Sequence, residues 1–169
     1  MKNLDEVIGE IEARLDEKDE VRELAIKSSR TIARLSGSAI QGMHRGEDVG
    51  ATLRETREEV MKLRSLLEGH PDLYHAGFVE NAMQEACESF LVHAILEADL
   101  LPSPKELDVT DTSFLLGLGD TVGELRRFAL ENLRRGDTRV AWSYLEKMER
   151  ILDALMRFDY PTSLVALKR

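Results

Sequence analysis

Apolar residues return every three to four positions along almost the whole chain, a spacing that helices satisfy and strands do not. Leu4, Val7, Ile8, Ile11 and Leu15 open the pattern, and Val21, Leu24, Ala25, Ser28, Ile32 and Leu35 continue it. This predicts a first long helix to about His44, with room for an interruption near Asp16–Asp19 and with Gly42 and Gly46 marking its end. A second helix is expected from about Glu47 to Leu67, closed by Gly69 and Pro71. A third is expected from about Asp72 to Glu97. Pro102 and Pro104 make Ala98 to Val109 a loop. Thr110 or Asp111 caps a fourth helix that ends at Gly136, and Asp137 or Thr138 caps a fifth that runs to about Phe158. Asp159 to Arg169 turns at Pro161 and begins a sixth. No segment alternates as a strand would. The expected fold is all-α, a single-domain antiparallel bundle of five to six helices over residues 1–169.

Only four prolines interrupt the chain, and Leu, Ala, Glu and Arg are abundant, which reinforces the helical reading. Cys87 is the one cysteine, so neither a disulfide framework nor a cysteine-based zinc site is available within the chain. A reducing, cytoplasmic setting is expected. No apolar run approaches the ~20 residues that span a bilayer, so no membrane partner is expected. Net charge is −9, which disfavours general nucleic-acid binding unless basic residues gather on one surface.

The charged residues do gather. Glu85 and Glu88 sit at i, i+3 in the third helix, and Asp120 and Glu124 at i, i+4 in the fourth. Each pair shares a helix face, about 60° and 40° apart. Both lie in otherwise apolar sequence. On spacing alone, solvated surface charge is the commoner meaning of such pairs. If the faces meet, mutual repulsion raises the carboxyl pKa values, and a divalent cation would relieve it. Mg2+ or Mn2+ suits such an all-oxygen donor set. Arg127, three residues after Glu124 and seven after Asp120, falls on the same face; it could hold a phosphate or simply pair with a carboxylate. Lys27, Arg30 and Arg34 share a face of the first helix, and His44-Arg45 follows at its end.

Other chemistries lack their signatures. Glu-x-x-His, the P-loop, His-Glu-x-x-His and Gly-x-Ser-x-Gly are all missing. The histidines read as structural or surface residues, and Cys87 as a buried inert thiol. Trp142 and Tyr144 turn to roughly opposite sides of their helix, so at least one is expected in the core.

Gly119-Asp120-Thr121-Val122-Gly123-Glu124-Leu125-Arg126-Arg127 resembles the Asp-x-x-Gly-Glu-Leu-x-Arg segment of Trax, and Asn132 and Gly136-Asp137 continue the match. Gln84-Glu85-Ala86-Cys87-Glu88-Ser89-Phe90 resembles the Trax Glu-x-x-Glu segment. Lys27-Ser28-Ser29-Arg30 and Ile40 to His44-Arg45 look like the first-helix pattern shared by translin and Trax. Tyr160-Pro161 and Leu167-Lys168-Arg169 look like the start of the family's final helix, so the end of that helix is expected to be missing.

The resemblance to the translin–Trax family, and to its compact archaeal Trax-like branch, implies a seven-helix bundle that assembles into a hollow homo-oligomeric, octamer-type shell around RNA. It implies that Glu85, Glu88, Asp120 and Glu124 form a catalytic Mg2+ (or Mn2+) site for cleaving single-stranded RNA. Lys27, Arg30, Arg45 and Arg127 are then the expected RNA-binding residues, with single-stranded DNA as a further ligand class. Two other functions fit the same residues: a non-catalytic translin-type RNA- or DNA-binding protein, and an all-α nucleotide pyrophosphohydrolase. The Gly-Glu-Leu-x-Arg segment argues against the latter.

Overall fold

A computed structural model describes residues 3–158, and among them every regular element is a helix. The first, α1 (Leu4–Arg45), runs for 42 residues without a break, a length of about 63 Å at 1.5 Å per residue. The interruption admitted near Asp16–Asp19 does not occur, because nothing in that acidic stretch removes a backbone donor. Gly42 lies inside the helix. Gly46 ends it, in the left-handed conformation (φ 71°) that a side chain would oppose, and its N–H returns to the Met43 carbonyl.

Four residues, 46–49, reverse the chain into α2 (Gly50–Leu66). The expected third helix is two elements, a single turn α3 (Pro71–Tyr74) and a long α4 (Gly77–Glu97). They part at Ala76, whose extended ψ of 142° starts α4 afresh. The expected loop 98–109 carries a second single turn, α5 (Pro104–Leu107). Here Ser103 accepts from the Glu106 N–H while Glu106 caps the Ser103 N–H in return. Thr110 and Asp137 cap α6 (Asp111–Arg134) and α7 (Thr138–Leu155) as expected, by accepting from the backbone of Ser113 and Val140. The turn at Pro161 and the helix expected after it lie outside the described residues.

The packing follows chain order. α1 lies against α2 and α4, α4 against α6, and α6 against α7. The core joins Ile32, Ala39 and Met43 of α1 to Val60 and Leu63 of α2, then to Met83, Ala86, Leu91 and Val92 of α4 and Leu118 and Leu125 of α6. Full burial begins only at Ala25 of α1. The first turns leave Leu4, Val7, Ile8, Ile11 and Leu15 exposed, Leu15 at 58%, before Val21 comes to pack against the core. A second exposed apolar set comprises Trp142 and Leu152 of α7 and Met156 just after it. Tyr144 packs toward the core beside Phe128, its ring centroid 5.9 Å away. One aromatic of the pair is therefore inside, as the spacing required. No helix is long and apolar enough to cross a membrane.

Candidate active site

A close crossing of α4 and α6 sets the site. A Cβ built on Gly117 of α6 would meet the Gln84 carbonyl oxygen at 2.8 Å, Cys87 Cβ at 2.9 Å and the Glu88 nitrogen at 3.1 Å. Only glycine lets α6 come this close to α4. The contact places the Glu85–Glu88 turn of α4 beside the Asp120–Glu124 turn of α6, so the two acidic pairs face each other.

Their electrostatics show the meeting. Glu88 is pushed up to about 7, first by burial and then by the charges of Asp120, Glu124 and Glu85. Glu85 is also raised, by burial and by Asp120. Repulsion of this kind needs carboxylates that share a region of restricted solvent. The other polar groups of the crossing are satisfied internally: the buried Thr121 hydroxyl donates to the Gly117 carbonyl at 2.8 Å. Cys87 is fully buried, with its thiol pushed up to about 12 by burial and by Glu88. It is the inert residue expected.

Two neighbours hold the outer carboxylates. The Gln84 amide donates to Asp120 Oδ2. His44, at the end of α1, places Nε2 2.5 Å from Glu124 Oε2 and Nδ1 3.4 Å from Glu131 Oε2. Its side chain is 4% exposed and stacks on Phe128 with centroids 3.9 Å apart and planes 14° from parallel. Arg127 spans the same pair, with Nη1 3.9 Å from Glu124 and Nε 3.6 Å from Glu131. Among the described residues, no three acidic, histidine or cysteine side chains are closely enough grouped, as placed, to grip a metal ion. The donor chemistry nevertheless fits a hard divalent cation: four carboxylates, one of them raised to about 7 by burial and by the other three.

The expected RNA-binding residues separate into kinds. Lys27 and Arg30 are exposed and form no ion pair with the described residues. Arg30 also lines a groove of about 430 Å³ between α1 and α4, which Phe78 and Asn81 share and which reaches Glu85. Arg45 is held bidentately by Glu47, at 2.6 and 2.8 Å. Arg127 is engaged as described. The four carboxylates singled out in the sequence lie on α4 and α6, which pack together. Sequence reasoning missed His44, Glu131 and Gln84 as members of the cluster. Glu131 was within reach, since it lies seven residues after Glu124 and four after Arg127.

An all-helical bundle with an acidic cluster at a glycine-tight crossing, flanked by unpaired basic residues, defines the class. The matching family model is that of the Translin family, over residues 18–164, and the chain belongs to that family. An uncharacterised protein of the archaeon Methanocaldococcus jannaschii is 35% identical over 150 residues, covering 86% of this chain and 66% of its own length. The chain thus spans just under two thirds of that relative. Among solved structures, AfC3PO aligns with a TM-score of 0.76 at 33% identity, over 94% of this chain and 83% of that one. AfC3PO in complex with duplex RNA aligns with a TM-score of 0.73 at 32% identity, with the same coverage. Apo-NeC3PO aligns with a TM-score of 0.83 over 91% of this chain and 83% of that one; at 21% identity it bears on the fold alone. These matches are consistent with the compact Trax-like branch that the sequence resembles.

Proposed function

We propose that this protein binds RNA and cleaves it as a metal-dependent endoribonuclease, with single-stranded RNA as the substrate. The observation that carries the reading is the state of Glu88, raised first by burial and then by the charges of Asp120, Glu124 and Glu85 at the α4–α6 crossing. Burying mutually repelling charges costs stability, and an arrangement that costs stability without aiding packing is a mark of a functional site. The existence of AfC3PO in complex with duplex RNA supports RNA as the ligand class.

Glu85, Glu88, Asp120 and Glu124 would hold Mg2+ or Mn2+, whose chemistry when bound is to stabilise negative charge on phosphate and to acidify water. Arg30 would bind a phosphate beside the scissile one, since its groove ends at Glu85. Arg127, already positioned by Glu124 and Glu131, would steady the scissile phosphate. Lys27 and Arg45 would add phosphate contacts that carry position and affinity but no base identity.

Homo-oligomeric assembly into a hollow shell belongs to the same reading. The exposed stripe Leu4–Val7–Ile8–Ile11–Leu15 offers an apolar face for a second copy. Its basic surfaces would then line an interior, while an exterior with net negative charge faces solvent. Light scattering at micromolar concentration should give a species larger than a dimer; a monomer would remove the shell.

A non-catalytic translin-type binding protein is the second reading. It is favoured by the absence, among the described residues, of three acidic, histidine or cysteine side chains grouped closely enough to hold a metal ion. The test is cleavage of short labelled RNAs, single-stranded and duplex, with Mg2+ and with chelator. Metal-dependent cleavage that Glu85→Ala abolishes while binding persists supports the enzyme. Binding without cleavage under every condition supports the second reading.

A further inference from the structure

We propose that His44 is a positioning residue for the acidic site: it fixes Glu124 through one carboxylate oxygen and so presents the other to a divalent cation. This rests on the metal-site reading above and assigns a residue from α1 to a site otherwise built by α4 and α6.

Four observations carry it. First, the side chain is nearly inaccessible, at 4% exposure, although it stands at the last turn of a surface helix. Burying an imidazole there is costly unless both ring nitrogens find partners. Second, both nitrogens face carboxylates, Nε2 toward Glu124 at 2.5 Å and Nδ1 toward Glu131 at 3.4 Å. An ionised carboxylate only accepts, so the short contact requires the proton on Nε2. Third, the ring plane is locked by stacking on Phe128, 3.9 Å between centroids and 14° from parallel. Phe128 is itself buried, and Tyr144 backs it. A donor on a locked ring has one direction, and Glu124 must come to it. Fourth, the Arg127 contact to Glu124 falls on the same oxygen, Oε2. His44 and Arg127 therefore both draw on Oε2.

The layout is that of an outer partner that orients a ligand. Such partners cost about 10- to 100-fold in metal affinity when removed. Glu131 lies on the far side of the ring, 3.4 Å from Nδ1, and pairs with Arg127, whose Nε is 3.6 Å away.

The test measures Mn2+ binding to the metal-free protein by electron paramagnetic resonance, without RNA. The variants are His44→Phe, which keeps a ring to stack on Phe128 and loses the donor, and His44→Gln, whose amide N–H reaches about as far as Nε2. Thermal melting confirms that each variant is folded. The expected result is Mn2+ binding weakened roughly 10- to 100-fold in His44→Phe and largely restored in His44→Gln. Wild-type binding with no change in folded His44→Phe overturns the positioning role and leaves the metal site standing. Equal weakening in both variants means that the ring, not its donor, matters, and also overturns it. Wild-type protein that binds no Mn2+ overturns the metal site and this role together.

Discussion

Gly117→Ala should loosen the crossing on which the whole site depends. The added methyl meets the Gln84 carbonyl oxygen at 2.8 Å, and Cys87 Cβ and the Glu88 nitrogen lie within 3.1 Å. Normal contact begins near ~3.5 Å, so the shortfall is roughly 0.7 Å. Two of the three atoms are backbone and the third is a Cβ, so no side-chain rotation relieves the clash. α4 and α6 must separate or the residue must strain. Overpacking of this kind costs about 1–3 kcal/mol, and rigid backbone neighbours put it toward the upper end. Alanine returns up to about 1 kcal/mol of helix propensity, leaving a net loss of about 1–2 kcal/mol. Gly123→Ala on the same helix is the control, since a Cβ there meets nothing within 4 Å. It should gain up to about 1 kcal/mol. Thermal melts should place the two variants on opposite sides of wild type, with a shift of roughly 2–4 °C per kcal/mol for a chain of this size. If Gly117→Ala melts at or above the Gly123→Ala variant, the crossing is not close-packed at Gly117, and the basis for bringing the acidic pairs together fails.

The charge at Glu88 has a signed consequence for stability. Its folded pKa of about 7 is above the ordinary carboxylate value. The folded state therefore holds this proton more tightly, and stability falls as pH rises through that interval. Glu88→Gln should be more stable than wild type at pH 8, by up to about 3 kcal/mol, and the advantage should vanish near pH 4. Urea melts across pH check this, and an advantage that grows toward acid pH would refute it. Arg30→Ala and Lys27→Ala should each weaken binding to all RNA sequences alike and flatten the log–log salt slope by roughly 0.7 per contact. Arg45→Ala should do less, because Glu47 already occupies its guanidinium; filter binding at several salt concentrations ranks the three. Cys87, fully buried and pushed up to about 12, should resist an aromatic disulfide reagent at pH 8 until the protein unfolds. Prompt reaction of folded protein would show that the α4–α6 crossing opens.

The long helices were legible because their apolar faces repeat over many turns, from Ile32 to Met43 and from Met83 to Ile95. Caps were legible where Thr110 and Asp137 precede such runs. The single turn α5 was not, because Pro102 and Pro104 read as breakers. Yet Pro104 occupies the first helical position, where its missing N–H costs nothing, and Ser103–Glu106 supplies the capping pair. The break at Ala76 was hidden by a run of helix-compatible residues. The facing of Glu85–Glu88 and Asp120–Glu124 is implied by the resemblance to the Trax segments and not by periodicity, since i, i+3 and i, i+4 acidic pairs recur on solvated faces. What makes them face is Gly117, and a glycine inside an apolar helix gives no sign in one sequence of which neighbour it admits. His44 was invisible for a related reason. A histidine in the last turn of a helix reads as a favourable partner of the helix terminus. Only the packing of the end of α1 against α6 turns it toward Glu124. The exposed stripe of α1 is the reverse case: Leu4 to Leu15 have core periodicity and no core to join among the described residues.

The central claim is that four carboxylates form one electrostatic unit suited to a divalent cation, and a carbon-13 NMR titration of the Glu88 carboxyl group tests it most directly. Without divalent metal the midpoint should lie near 7, as burial and the charges of Asp120, Glu124 and Glu85 require. Asp120→Asn should lower it by removing the charge that acts most strongly on Glu88. Saturating Mg2+ should lower it well into the ordinary carboxylate range, because a bound cation favours the ionised form. A midpoint already ordinary in the metal-free protein, and unmoved by Asp120→Asn or by Mg2+, would mean that the acidic pairs act independently and that the proposed metal site does not exist.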